Sequence, residues 1–216
     1  MAKTVIYLVR HGESIGNKMK IALGHTDLPL TELGVEQAEM TAKSLKDVVF
    51  DVIYSSDLKR AMQTAEPHAR LRGMKVIGVE GLREMFCGEW ENQPMETVIE
   101  RDPEAFYVHW RKIFGNFQMP GGESVPEAAE RFYVTLRSIA EKHPGQTLLI
   151  ASHAAVIRGT WGHKILGLKG EEIGSKLPFP SNASYSVLEY ENGKFTPVSY
   201  SNDEHLRAAG ICTEIK

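Results

Sequence analysis

The chain is poor in cysteine, lacks a long apolar run and carries little excess charge, and each shortage excludes a class of protein. Its 216 residues include only Cys87 and Cys212, which are too few for a disulfide framework and lack the paired spacing of a zinc site. No stretch reaches the roughly 18 apolar residues that span a bilayer, and residues 1–10 are too short and strand-like for a secretory signal. We therefore expect a cytoplasmic protein with no membrane partner.

Charge balance and sequence complexity restrict the possible partners and architecture further. With 25 basic and 28 acidic residues, the formal net charge is −3. The molecule as a whole therefore does not attract nucleic acid, and any anion site must be local. The chain has no internal repeat, low-complexity segment or flexible linker. We expect a single domain, residues 1–216, with a tail of uncertain order from about residue 203.

Strand and helix patterns alternate along the chain. Apolar or β-branched runs predict four strands and a hairpin, at residues 4–9, 50–54, 74–79, 147–151 and 184–200. Two of the helical patterns begin at good capping residues, Thr31 and Ser124. The hairpin turns at Asn192 and Gly193, a pair typical of tight turns. This alternation predicts an α/β fold with three layers, α/β/α.

Charged and imidazole side chains follow the predicted strands where each strand ends. The first strand ends in Arg10 and His11, and Arg60 lies in the first turn of the helix after the second. Glu84 comes soon after the third strand, and His153 follows the fourth. Because α/β sheets bind ligands at the carboxyl ends of their strands, we expect these side chains to surround one site.

The chemistry of this set suits a phosphoryl group. The guanidinium groups of Arg10 and Arg60 offer forked donors that match phosphate oxygens and stay charged at physiological pH. A neutral imidazole at His11 could attack phosphorus and form a phosphohistidine, and His153, if protonated, would add positive charge. Glu84 is the candidate general acid for the leaving alkoxide and the later base for the attacking water.

Several motifs, taken in order, resemble those of the histidine phosphatase superfamily, which includes the cofactor-dependent phosphoglycerate mutases. They are LVRHGES at residues 8–14 with Asn17, SSDLKRA at 55–61 with QTA at 63–65, LRE at 82–84, PGGES at 120–124 and SH at 152–153. The resemblance covers nearly the whole chain. It implies a phosphoglycerate mutase-like fold with a Rossmann-like, mostly parallel sheet, and hydrolysis that needs no metal and no organic cofactor.

The resemblance also implies a role for each matching residue. His11 would be the phosphorylated nucleophile and Glu84 the proton donor. The phosphate pocket would be formed by Arg10, Asn17, Arg60 and His153. Relatives often carry two glycines after the second catalytic histidine, whereas this chain has Ala154 and Ala155.

The segment after the acid favours a phosphatase over a mutase. Mutases of the family carry a longer segment there, with basic residues that grip the substrate carboxylate, and the segment here is short. We therefore expect a metal-independent phosphomonoesterase whose partner is a small phosphorylated metabolite. Sugar phosphates, nucleotides, phosphoglycerate and ribazole phosphate all stay open as substrates, and so does a homodimer. A phosphoglycerate mutase and a non-catalytic phospholigand-binding protein are the alternatives.

Two other hydrolase patterns are present but incomplete. The motif G-x-S-x-G surrounds Ser14, with Asp203 and His205 as distant partners for a serine hydrolase. Only one strand precedes Ser14, however, and such an enzyme would leave the cations without a role. A cysteine phosphatase needs an arginine six residues after its nucleophile, but Gln93 stands six residues after Cys87.

The remaining histidines and the central aromatic residues have simpler interpretations. Six histidines share no ligand spacing, so we expect them on the surface or on helix faces and assign none to a metal: His25, His68, His109, His143, His163 and His205. The aromatic residues between positions 90 and 117 either line the site or form a small satellite core, and we favour the core.

Overall fold

The computed structural model describes residues 2–110, 112 and 114–213, and these form an α/β fold around one six-stranded sheet. The strands are β1 Thr4–Arg10, β2 Val52–Ser55, β3 Val76–Gly78, β4 Thr147–Ser152, β5 Tyr185–Glu191 and β6 Lys194–Asn202. The helices are α1 Ile15–Lys18, α2 Glu32–Ser44, α3 Lys59–Arg70, α4 Met95–Arg101, α5 Val125–Lys142, α6 Ala154–Thr160, α7 Gly170–Lys176 and α8 Glu204–Ala208. Short 3₁₀ turns lie at Glu80–Leu82, Gly88–Trp90 and Phe114–Asn116, and π-helical turns at Ala105–Trp110 and Trp161–Ile165.

The sheet has the order β3-β2-β4-β1-β5-β6. The first four strands in this order run parallel, and β5 and β6 are antiparallel to their neighbours. Arg10 at the end of β1 lies opposite Ser152 at the end of β4, and Ser55 at the end of β2 lies opposite Ala151. The mostly parallel sheet is therefore confirmed, and its register brings three strand ends to one edge.

Two apolar clusters cover the two faces of the sheet and confirm the three-layer arrangement. Because successive strand residues point to opposite faces, Leu8 lies in one cluster and Val9 in the other. The larger cluster joins the sheet to α5 and α6, and the smaller one joins it to α3 and to Leu45 at the end of α2. The central strand β4 is buried on both faces, which explains its unbroken apolar sequence.

Local signals in the sequence produce the predicted helix starts and the predicted turn. The Thr31 side chain accepts a hydrogen bond from the Gly34 N–H, and Ser124 forms a capping box with Glu127. At the hairpin, Asn192 and Gly193 both lie in the left-handed region, with φ of 51° and 81°. That is the backbone conformation that a two-residue turn between antiparallel strands requires.

The segment after residue 203, for which we expected uncertain order, packs onto the domain as far as residue 213. Leu206 in α8 is fully buried. The Thr213 hydroxyl donates a hydrogen bond to the Asn182 side chain, and its carbonyl accepts one from the Asn182 N–H. Within the described ranges, no helix has the length and apolar character needed to cross a bilayer.

Candidate active site

A cavity of about 690 Å³ opens at the edge of the sheet where β1, β2 and β4 end. The predicted site residues that line it are Arg10, His11, Asn17, Arg60 and Glu84. His153 lies beside the cavity, fully buried, with its ring centroid 5.2 Å from that of His11. The fold therefore brings all six predicted site residues to one place.

His11 is held as a neutral imidazole with a defined tautomer. Its Nδ1 lies 2.7 Å from the Gly12 carbonyl, and because a carbonyl only accepts, Nδ1 carries the proton and Nε2 carries the lone pair. Burial, and then the charges of Arg60 and Arg10, lower the pKa of His11 well below its usual value. The Asn182 Nδ2 donates to the His11 carbonyl at 3.1 Å and fixes the main chain.

The loop after β1 depends on glycine because two segments meet closely. A Cβ atom at Gly12 would lie 2.4 Å from the Gly34 carbonyl oxygen. Gly12 does not lie in the left-handed region, so the requirement comes from this close approach rather than from the turn. The Gly12 N–H donates to the Thr64 hydroxyl at 3.0 Å, which ties the loop to α3.

Arg10 is buried, and no carboxylate among the described residues forms an ion pair with it. Its Nη1 donates to the Pro180 carbonyl at 2.5 Å, while its Nε has no hydrogen-bond partner in the described part of the chain. Burial lowers the pKa of Arg10 to about 10, so the guanidinium stays charged at neutral pH. A positive charge held by neutral carbonyl groups is available to an anion.

Arg60 reaches the cavity from the first turn of α3 and is held in the same way. Its Nη1 donates to the Thr26 carbonyl and its Nη2 to the Gly24 carbonyl, both at 2.8 Å. Burial lowers the pKa of Arg60, and its Nε is also unpartnered among the described residues. Across those residues, neither Arg10 nor Arg60 has a carboxylate within ion-pair distance.

His153 is buried with neither ring nitrogen hydrogen-bonded to any residue that the structure describes. Burial, followed by the charge of Arg60, lowers the pKa of His153 well below its usual value. The ring is therefore neutral in the ligand-free protein. Buried polar atoms without partners are rare because each costs about 1–3 kcal/mol, and two others of this kind belong to Arg10 and Arg60, which line the cavity.

Glu84 bridges two elements through its carboxylate. Oε1 accepts hydrogen bonds from the Met85 N–H at 2.9 Å and the Val156 N–H at 3.0 Å. Oε2 accepts one hydrogen bond, from the Ala155 N–H at 3.0 Å. The departure from Gly-Gly at residues 154–155 therefore preserves the backbone donors after the second histidine.

Asn17 and Ser14 act together at the start of α1. The Asn17 side-chain oxygen accepts from the Ser14 N–H and hydroxyl, and the Ser14 hydroxyl accepts from the Asn17 N–H. Asn17 keeps its Nδ2 group as a donor at the cavity, whereas Ser14 is fully buried. Asp203 pairs with Arg207. The described residues therefore give no geometric support to a serine hydrolase with Ser14 as its nucleophile.

Three contributions to the site have no motif in the sequence. Asn182 precedes β5 and holds the His11 carbonyl, and Glu91 binds the main chain of the loop that holds Arg60. The aromatic residues are a third case, because Trp90 and Trp110 belong to the core or pack against it and also line the cavity. We had favoured the core alone for these aromatic residues, whereas they form both the core and the cavity wall.

The other histidines and Cys87 show no catalytic arrangement. His25 Nε2 donates to the Glu84 carbonyl at 2.9 Å. His68 lies on a helix face, one of the two expected positions, and it is fully buried on α3. The side chain of His109 lies outside the described residues. Burial raises the pKa of the Cys87 thiol, which disfavours a thiolate. In the described ranges, no group of three or more His, Cys, Asp or Glu side chains could hold a metal ion.

Comparisons with known proteins agree with this arrangement. A family model for the histidine phosphatase superfamily (branch 1) matches residues 6–203. A protein of Yersinia pestis named probable phosphoglycerate mutase GpmB is 34% identical over 191 residues, which are 86% of this chain and 85% of that protein.

Two solved structures have the same fold over nearly their whole length. YhfR of Bacillus stearothermophilus has a TM-score of 0.87 at 28% identity, covering 94% of this chain and 99% of that one. The α-ribazole phosphatase of Shigella flexneri has a TM-score of 0.77 at 26% identity, covering 92% and 96%.

Proposed function

The chain belongs to the histidine phosphatase superfamily, and from that membership we propose that it is a metal-independent phosphomonoesterase acting on small phosphorylated metabolites. The reaction would pass through a phosphohistidine at His11. Members of this superfamily are phosphatases and mutases, so the proposal chooses the hydrolytic branch. The geometry of the cavity and its charges support that choice.

One observation carries the proposal: buried donors without partners belong to residues that line the cavity or lie beside it. The Nε atoms of Arg10 and Arg60 and the one ring N–H of the neutral His153 have no partner among the described residues. A phosphoryl group has several strong acceptor oxygens and would supply partners for such donors. It would also compensate the two guanidinium charges, which form no ion pair with a carboxylate in the described part of the chain.

In the first half of the proposed reaction, the lone pair on His11 Nε2 attacks phosphorus and the bond to the leaving oxygen breaks. The charge on the equatorial oxygens is stabilised by Arg10 and Arg60, with Asn17 as a further donor. The hydrogen bond from His11 Nδ1 to the Gly12 carbonyl stabilises the positive charge that develops on the ring.

Glu84 would supply the proton that the leaving oxygen needs. Oε2 has one N–H partner and Oε1 has two, so protonation of Oε2 sacrifices fewer hydrogen bonds. We therefore assign the transferred proton to Oε2. In the second half, the Glu84 carboxylate takes a proton from water, the water oxygen attacks phosphorus, and the bond to His11 breaks. Inorganic phosphate leaves, and both side chains return to their starting states.

The apolar part of the cavity wall favours an apolar or ring-shaped leaving group. Its lining includes the apolar and aromatic residues Ile21, Met95, Ile99, Phe106, Tyr107, Trp110 and Phe179. Apart from the two arginines, Lys20 is the one basic residue that lines it in the described part of the chain. Such a wall buries apolar surface readily but offers little to a carboxylate.

A phosphoglycerate mutase is the second candidate because the Yersinia relative bears that name and Lys20 could meet one carboxylate. An enolase-coupled assay with 3-phosphoglycerate separates the two functions. The phosphatase proposal expects release of inorganic phosphate without formation of 2-phosphoglycerate. Isomerisation that outpaces phosphate release would replace this proposal with the mutase.

The phosphohistidine is tested by quenching the working protein in alkali and locating the adduct by mass spectrometry. We expect one acid-labile phosphoryl group on His11, none in His11→Ala, and unchanged turnover after prolonged chelation of metals. Turnover without an adduct on His11 would refute the nucleophile, and recovery of chelated activity by one added metal would refute the metal-independent mechanism. Binding of phosphate without turnover of any phosphomonoester would support the non-catalytic alternative.

A further inference from the structure

The PGGES motif at residues 120–124 lies outside the cavity but is paired with the segment that carries Glu84. The Glu89 N–H donates to the Pro120 carbonyl at 2.8 Å, and the Glu123 N–H donates to the Phe86 carbonyl at 3.0 Å. The Phe86 N–H in turn donates to the Glu123 side chain at 2.8 Å. The motif therefore pairs with the segment that contains Glu84, residues 81–89, here called the acid segment.

The two segments are in direct contact, and glycine makes that contact possible. A Cβ atom at Gly88 would lie 2.2 Å from the Pro120 carbonyl oxygen, and one at Gly122 would lie 2.3 Å from the Phe86 carbonyl oxygen. Gly88 also has a φ of 50°, which most other residues adopt only with strain. No side chain could be added at either position without separating the segments.

Arg131 completes this contact from helix α5. Its Nε donates to Glu123 Oε1 at 2.7 Å and its Nη2 to Glu123 Oε2 at 2.8 Å, which is a forked, bidentate pair. The same guanidinium donates to the carbonyls of Gly81, Arg83 and Glu84, at 3.1, 3.0 and 3.0 Å. One cation thus holds the main-chain carbonyls of Glu84 and of two residues that precede it.

Glu123 stays ionised in this setting, which keeps the pair strong. Partial burial alone would raise the pKa of Glu123, but the hydrogen bonds from Arg131 and the Phe86 N–H outweigh it and lower the pKa. The side chains of Arg131 and Glu123 are 27% and 23% exposed, so solvent screens the pair less than the exposed pairs elsewhere on the surface.

We propose that the Glu123–Arg131 pair positions the carboxyl group of Glu84 for proton transfer to the leaving group. The proposal rests on the function proposed above, and neither residue lines the cavity, so both act through Glu84. Proton transfer requires hydrogen-bond distance between Oε2 and the leaving oxygen. A shift of about 1 Å in such a group costs about 10²-fold in rate. The pair fixes the Glu84 backbone together with His25, which bonds the same carbonyl.

A merely structural brace would stabilise the fold without affecting proton transfer, and leaving-group dependence separates the two roles. Nitrophenolate leaves without a proton, whereas the alkoxide of glycerol 2-phosphate needs one. The ratio kcat/KM reports the step in which the ester bond breaks, before water attacks. Loss of positioning should therefore lower kcat/KM for glycerol 2-phosphate much more than for nitrophenyl phosphate.

The test compares Arg131→Met with Arg137→Met in the full-length protein. Arg137 lies on the same helix and pairs with Glu141 in an exposed i, i+4 pair, so it is a matched control. We expect Arg131→Met to lose about 10- to 100-fold in kcat/KM on glycerol 2-phosphate, and less than about threefold on nitrophenyl phosphate. Arg137→Met should change neither. Equal losses on both esters, or no loss in Arg131→Met, would overturn the proposal.

The variant Glu84→Gln separates failure of the positioning role from failure of the proposed function. If Glu84→Gln shows the leaving-group dependence, then Arg131→Met added to it should cost less than about twofold more on glycerol 2-phosphate, because the two act in series. Additive losses in the double variant would overturn the positioning role alone. Absence of leaving-group dependence in Glu84→Gln would overturn the donor role itself. If Arg131→Met does not fold, Glu123→Gln replaces it with the same expectations.

Discussion

Glu91 offers a sharp test of how the loop at residues 24–26 holds Arg60. Glu91 Oε1 accepts from the His25 N–H at 2.7 Å and the Cys87 N–H at 3.1 Å. Oε2 accepts from the Thr26 N–H at 2.9 Å and the Thr26 hydroxyl at 2.7 Å. The same loop supplies the two carbonyl groups that bind the Arg60 guanidinium. The carboxylate of Glu91 therefore holds Arg60 indirectly, through this loop.

The perturbation is Glu91→Gln, which keeps the shape and removes one acceptor. Wherever the new amide NH₂ points, at least one backbone N–H of the loop loses its partner, because the Thr26 hydroxyl can reverse but an N–H cannot. A hydrogen bond to a charged acceptor contributes about 1.5–3 kcal/mol. We expect the free energy of unfolding to fall by about that amount, and phosphate affinity to weaken about 4- to 12-fold if half of the loss reaches Arg60.

The assay is calorimetric titration of inorganic phosphate into the purified protein, alongside urea unfolding. Glu96→Gln is the control, since Glu96 is an exposed carboxylate on α4, and it should change neither quantity. In an Arg60→Ala background, Glu91→Gln should not weaken phosphate binding further. If Glu91→Gln binds phosphate as tightly as the unaltered protein, the loop does not transmit the position of Glu91 to Arg60 and the reasoning is wrong.

Three further outcomes follow from the same contacts. His68 is fully buried without a hydrogen-bond partner in the described residues, and burial lowers its pKa to about 3. The unfolded chain therefore binds the proton first, and stability falls by up to about 1.4 kcal/mol per pH unit from pH 6.5 down to about pH 3. In urea unfolding, His68→Leu should flatten this dependence, and parallel curves for the two proteins would contradict it. Since the pKa of His11 is lowered by burial and by the two arginines, its ring signals in NMR, assigned by comparison with His11→Gln, should show no titration between pH 8 and 6.5. Thr213→Val removes the hydroxyl that joins Gln37 to Asn182. Loss of the one hydrogen bond that reaches Asn182, about 1 kcal/mol, should slow phosphoenzyme formation by a factor of about 5. The exposed Ser175→Ala should not slow it, and equal rates in both variants would mean that the terminal segment does not support His11.

The sequence predicted the charged members of the site because their positions follow from strand geometry. Arg10 and His11 end β1, and His153 follows β4, its parallel neighbour, so the register of the sheet brings them together. The hairpin turn and the helix caps were also predicted from local sequence signals. Each of these signals involves residues close in the chain, where side-chain periodicity and turn chemistry are readable.

The supporting contacts could not be predicted because they join main-chain groups far apart in sequence. Asn182 reaches the His11 carbonyl across 171 positions, and Arg131 reaches the Glu84 carbonyl across 47. An arginine that will bind carbonyl groups has the same local pattern as one that will lie in solvent. The aromatic residues posed the same difficulty, because the wall of the cavity is also part of the core.

The contrast between the two kinds of arginine explains how the site can stay charged yet ordered. Arg131 holds the acid segment, and its positive charge is compensated within the fold by the carboxylate of Glu123. Arg10 and Arg60 are fixed by carbonyl groups, which orient a guanidinium through its N–H donors without cancelling its charge. A carboxylate in place of those carbonyls would orient the arginines equally well but would compete with the phosphoryl group. Replacing a carbonyl contact by a carboxylate contact would therefore weaken anion binding, and no such contact is present at either position in the part of the chain that the structure describes.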